Sequence, residues 1–206
     1  MTARRAAAAV AVLFPGAGTG ADHPGLVAIE HALAPLAVAR VDFAYRRAGR
    51  KAPPRAPTLV AEVREAASAA AEAQGVGPER VLLGGRSMGG RMCSMAVAEG
   101  LPAAGLVLVA YPLHPPGRPD KARTAHLGEL AVPCLFVSGT RDAFGTPDEL
   151  ESATTAVPGP VTHVWVEGAG HDLARRDEEV AAAVATWVAT LRAAPPRRRA
   201  RPGPRG

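Results

Sequence analysis

At 206 residues the chain has room for one well-buried α/β core and too little for two independent domains. With 48% apolar residues but only 4% aromatics, that core must be built mainly from Ala, Val and Leu. The formal charge of +5 points to nucleic acid only until the charge is located: Arg197, Arg198, Arg199, Arg201 and Arg205 account for all of the excess, and the other 19 Lys and Arg balance the 19 Asp and Glu.

The body, residues 1–194, is therefore read as one neutral domain without a nucleic-acid partner. Residues 195–206, a Pro/Arg/Gly tail, cannot bury apolar surface and are expected to be disordered. No apolar run approaches the ~18 residues that span a bilayer. Cys93 and Cys134 lie in apolar contexts with neither CxxC nor metal-ligand spacing, so buried free thiols, a reducing cytoplasm and no metal are expected.

Taken in chain order, Arg4 and Arg5 followed by Ala6 to Phe14 imitate the start of a secretory signal. Val10 to Phe14, however, is short, apolar and ends in Pro15-Gly16-Ala17-Gly18, which reads as a buried strand and its turn. A helix over Pro24 to Leu36 leads to a strand over Val38 to Phe43, and a helix over Pro57 to Gln74 to a strand over Val81 to Leu83. Then come a helix over Met88 to Glu99 and strands over Leu106 to Ala110 and Cys134 to Ser138. A helix over Thr146 to Thr155, a strand over His163 to Val166 and a helix over Asp177 to Ala193 complete the series. Such alternation predicts a three-layer α/β/α sandwich around a mostly parallel sheet of about six strands, its strands apolar on both faces. The proline-rich piece Tyr111 to Leu130 is an ordered loop at the carboxyl edge of the sheet, where ligands bind in open α/β folds, and is too short for a cap domain.

The segment that carries chemistry is Val81-Leu82-Leu83-Gly84-Gly85-Arg86-Ser87-Met88-Gly89-Gly90, an apolar strand running through Gly-x-Ser-x-Gly into a helix. That is the context of a nucleophile elbow: Ser87 sits on a strained turn, and Gly85 and Gly89 let strand and helix approach closely. A flexible or phosphate-binding glycine loop is the alternative, but the Lys-Ser/Thr ending of a P-loop is missing. A serine hydroxyl needs a base. His171, in Glu167-Gly168-Ala169-Gly170-His171-Asp172, follows the last strand on a glycine-rich loop and is the candidate; His163 lies within a strand and reads as packed, and His23, His31 and His126 read as surface residues.

Asp142 follows the penultimate strand in Ser138-Gly139-Thr140-Arg141-Asp142, either to orient the imidazole or as a turn aspartate. Asp148 reads as a helix-start residue, and Asp172 is a second alternative. The Met88 amide at the helix start and the Gly16 or Ala17 amide after the first strand are the expected oxyanion donors; Pro15 has no N–H to give.

These residues resemble the bacterial hydrolases of the α/β-hydrolase superfamily related to dienelactone hydrolase. The likeness runs from Val10 to Ala193 and includes Tyr45-Arg46-Arg47, Gly84 to Arg91, Tyr111 to Gly117, Gly139 to Asp142 and Gly170-His171, in the chain order Ser, Asp, His of that superfamily. Where relatives often carry His, this chain has Pro15. The resemblance implies a short, lidless version of the fold with serine in place of the cysteine of dienelactone hydrolase, but it supplies no substrate; the Ser, Asp and His set itself requires no cofactor and suits a small-molecule ester or acyl substrate. His114, Arg86 and Arg91 are candidate substrate contacts, with structural hydrogen bonds or carboxylate pairing as the alternative for each. Hydrolysis of a carboxylic ester through an acyl-serine is the expected activity. The same residues also suit an acyltransferase or a cofactor-free haloperoxidase, and the fold alone could serve as a noncatalytic binding scaffold.

Overall fold

The computed structural model describes residues 7–193, apart from the side chains of residues 192 and 193; Arg4, Arg5 and the tail at 195–206 lie outside the described residues. Six strands form one parallel sheet: β1 (Val10–Phe14), β2 (Ala37–Arg40), β3 (Val81–Arg86), β4 (Gly105–Val109), β5 (Cys134–Gly139) and β6 (Val161–Val166). Their order across the sheet is β2-β1-β3-β4-β5-β6. The helices are α1 (Pro24–Leu33), α2 (Ala44–Arg47), α3 (Ala56–Ala73), α4 (Met88–Ala98), α5 (Pro147–Thr154) and α6 (Asp177–Ala193).

Both faces of each central strand are apolar because both are covered. Val10, Val12 and Phe14 of β1 pack with Leu83, Leu106, Leu108 and Phe136 on the side of α3, α4 and α5. Ala11 and Leu13, the alternate residues, pack with Leu82, Val107, Leu135 and Val137 on the side of α1 and α6. This is the period of two expected of strands sandwiched between helical layers, and each fully buried Val, Leu or Phe contributes about 1.5–3 kcal/mol of transfer free energy.

Boundaries shift where a side chain is wanted elsewhere. The second strand ends at Arg40 rather than Phe43, because Asp42 turns to accept the Ala21 amide at 2.7 Å and Phe43 turns inward to stack on Phe14 with ring centroids 4.9 Å apart. The short helix α2, absent from the sequence expectation, begins after Phe43. Helix α1 stops at Leu33, not Leu36, because Pro35 disfavours helical geometry at Ala34.

The order of strands decides where a site can form. From β1 the chain crosses outward to β2 and then returns past β1 to β3, so β1 and β3 are neighbours whose following loops diverge. The crevice at their carboxyl ends is the switch point of an open α/β sheet. Between β4 and β5 there are two single-turn helices, Pro119–Lys121 and Leu127–Glu129, and no inserted cap.

Candidate active site

Ser87 links β3 to α4 with φ 51° and ψ −117°, a left-handed conformation that costs a non-glycine residue on the order of 1–3 kcal/mol and persists only where the surroundings enforce it. They do so on both sides. The Ser87 amide donates to the Val109 carbonyl at 2.8 Å, while its own carbonyl accepts the Arg91 amide at 3.1 Å. A Cβ on Gly89 would stand 2.6 Å from the carbonyl carbon of Phe14 and 2.6 Å from the Pro15 oxygen, and one on Gly85 2.9 Å from the Phe14 nitrogen. Only hydrogen at both positions lets α4, β3 and β1 meet this closely, and the strained serine is what results.

The loop after β1 lies against that serine, for a Cβ on Gly16 would be 3.6 Å from the Ser87 Cβ. Its carbonyls are held by the protein: Thr19 N–H donates to Gly16 O at 3.3 Å, and the buried Tyr45 hydroxyl donates to Ala17 O at 2.7 Å. The N–H groups of Gly16, Ala17 and Met88 have no acceptor among the described residues, and Met88 heads α4, where the helix dipole is positive.

Three side chains that start on three separate strand ends meet here. The Ser87 Oγ lies 2.9 Å from His171 Nε2, and His171 Nδ1 lies 3.0 and 2.8 Å from the two carboxylate oxygens of Asp142. Asp142 is 2% exposed and also accepts the Phe144 amide at 2.8 Å. A carboxylate facing Nδ1 requires the proton on that nitrogen, which leaves the Nε2 lone pair for the serine hydroxyl. Phe144 stacks on the imidazole with ring centroids 4.0 Å apart. The loops carrying Asp142 and His171 are sewn together by Arg141 N–H to Ala169 O at 2.9 Å and Gly168 N–H to Thr140 Oγ1 at 2.8 Å.

The remaining sequence candidates are distributed as follows. His163 is packed between Phe136 and Trp165 and bonds Thr154 Oγ1 at 3.0 Å. His114 is buried, with Nδ1 2.8 Å from the Pro115 carbonyl and Nε2 3.3 Å from Glu149. These acceptors, the Pro115 carbonyl first, raise its pKa above the ordinary 6.5. Arg86 donates from Nη2 to the His171 carbonyl at 3.0 Å. Arg91 stands near Tyr111 and Arg123, its buried Nε without a partner among the described residues. Asp148 lies in the first turn of α5, and Asp172 accepts the Ala174 amide at 3.3 Å.

Two expectations for histidines are corrected. His126 is half-buried rather than a surface residue: its Nε2 lies 2.8 Å from Ser94 Oγ on α4, and burial, aided by Arg91, pushes its pKa down to about 4. His23 caps α1, its Nδ1 accepting the Gly25 amide at 3.1 Å. Tyr45 and Phe144 were not singled out for the site from sequence, because their contacts join segments far apart in the chain or depend on how a loop folds back. No group of three or more His, Cys, Asp or Glu suited to a metal is present among the described residues.

The family model for the alpha/beta hydrolase domain matches residues 7–194, nearly the whole chain. The chain belongs to the alpha/beta hydrolase domain family. Solved structures of similar fold include Est1E from Butyrivibrio proteoclasticus, with a TM-score of 0.73 at 15% identity over 91% of this chain and 90% of that one. XC6422 from Xanthomonas campestris, a serine hydrolase without a lid, aligns with a TM-score of 0.68 at 19% identity over 93% and 86% of the two chains. A serine hydrolase homologue from Coxiella burnetii gives 0.68 at 18% identity over 87% and 85%. At these identities the neighbours show the fold alone, and the alpha/beta hydrolase family supplies the hydrolase class.

Proposed function

We propose that this protein is a serine hydrolase that cleaves a carboxylic ester or related acyl bond through an acyl-Ser87 intermediate. The observation that carries the reading is the continuous contact from Ser87 Oγ to His171 Nε2 at 2.9 Å and from His171 Nδ1 to Asp142 at 2.8 Å. In this reading His171 takes the serine proton as Oγ attacks the acyl carbon, then returns it to the leaving alkoxide; Asp142 holds the tautomer and favours the imidazolium. Water, deprotonated by the same imidazole, attacks the acyl-enzyme and releases the acid and free Ser87. The Met88 amide with the Gly16 or Ala17 amide would stabilise the oxyanion, and Pro15, which has no N–H of its own, leaves those donors untouched.

The unlidded carboxyl edge suits a small or exposed ester. Est1E from Butyrivibrio proteoclasticus, similar in fold, is known with ferulic acid bound. Both cysteines are buried, and no helix among the described residues is long and apolar enough to cross a membrane.

Hydrolysis of short p-nitrophenyl esters by wild type and Ser87→Ala tests the reading. Release of nitrophenol that vanishes in the variant is expected, and equal rates in the two proteins would contradict it.

A further inference from the structure

We infer that Arg86 is a positioning residue that holds the His171 loop over Ser87; this rests on the serine-hydrolase reading above. Ser87 follows β3 and His171 follows β6, three strands along the sheet, so at about 4.8 Å per strand the loop must arch back over roughly 14 Å to deliver its imidazole. The loop that does so is strained. Leu173 and Arg175, just beyond the histidine, have φ values of 49° and 63°, which side-chain-bearing residues keep only under constraint.

Arg86 supplies a constraint from the elbow itself. Its backbone, the last of β3, is in register with Val109, and its guanidinium Nη2 donates to the His171 carbonyl at 3.0 Å. Asp172 and Asp177 lie in its field and favour its charge against the cost of burial. A delocalised guanidinium tolerates this half-buried setting and holds its direction better than an ammonium on a flexible stem.

The hollow beside it is closed, and neither Ser87 nor His171 lines it. The hollow it shares with His23, Leu26, Leu173 and Asp177 measures about 10 Å³, room for a single water and not for an acyl group. Its hydrogen bond and the nearby Asp172 belong to the loop it restrains, and Asp177 opens the helix that follows.

Arg86→Met and Arg86→Lys, compared with wild type on neutral p-nitrophenyl acetate and by proton NMR, test the inference. For Arg86→Met, kcat should fall by roughly 10²-fold with KM within about twofold, since a misplaced base costs turnover rather than binding; Arg86→Lys should recover part of the loss. The downfield His171 Nδ1–H resonance, identified by its loss in Asp142→Asn, should broaden by exchange in Arg86→Met even with no ester present. A raised KM at unchanged kcat would overturn the inference in favour of substrate binding. A lowered Tm with kcat and the resonance unchanged would reduce Arg86 to a structural support. If wild type shows no Ser87-dependent turnover, the hydrolase reading fails, while the resonance still decides whether Arg86 positions the ring. Should Arg86→Met fail to fold, a sharp resonance and full kcat in Arg86→Lys would overturn the inference.

Discussion

In the proposed mechanism Asp142 acts through one proton. With its carboxylate 2.8 Å from His171 Nδ1 and a second bond from the Phe144 amide, it can hold only the tautomer that leaves Nε2 free for Ser87. Asp142→Asn keeps the shape and offers an amide N–H in place of an acceptor, so kcat should fall by about 10⁴-fold with little change in Tm. Steady-state kinetics beside a thermal melt check this. Tyr45 is a subtler case: its hydroxyl fixes Ala17 O at 2.7 Å, so Tyr45→Phe should cost about 1 kcal/mol of stability, read from denaturant unfolding, and slow turnover severalfold. Ser87, Asp142 and His171 were legible in the sequence because each follows a strand in a recognisable turn. Tyr45 and Phe144 were not, since nothing in a residue's own neighbourhood announces which distant backbone or ring it will touch.

At the scale of elements, the approach of α4 to β1 and β3 depends on hydrogen at Gly85 and Gly89. Gly89→Ala would drive a methyl into the Phe14 and Pro15 carbonyls, forcing α4 outward and dragging Ser87 from His171. A stability loss of about 1–3 kcal/mol is expected, with activity falling further than stability does. Parallel measurement of urea unfolding and ester turnover separates the two. Strand and helix existence could be read from alternation and from Gly and Pro punctuation, yet the end of β2 could not. Val41, Asp42 and Phe43 look like strand continuation, and they leave the sheet because Asp42 caps the Ala21 amide and Phe43 enters the aromatic stack with Phe14 and Tyr45. Such long-range demands override local pattern.

For the whole molecule, the buried His114 and the half-buried His126 pull stability in opposite directions with pH. His126 has a folded pKa of about 4 against 6.5 in the unfolded chain, so between these values the unfolded state binds more protons and stability falls as the solution is acidified. His114 has its folded pKa raised, so its contribution is fully present below 6.5 and is lost as pH rises through the folded value. Thermal melts from pH 4 to 8 should show a loss on the acid side that His126→Gln flattens, and a loss on the neutral side that His114→Gln flattens. The architecture itself was legible because strands alternate with helices along the chain. The order β2-β1-β3-β4-β5-β6, which puts the Gly16 loop against Ser87 at the switch point, emerges only from tertiary packing.

The most direct measurement of the serine-hydrolase account is covalent capture: a fluorophosphonate probe, followed by mass spectrometry of the peptide containing Gly85 to Gly90. A single adduct on Ser87, slowed in His171→Ala and absent in Ser87→Ala, is the predicted result. A wild-type protein that stays unlabelled, or a label that persists when Ser87 is replaced, would contradict it.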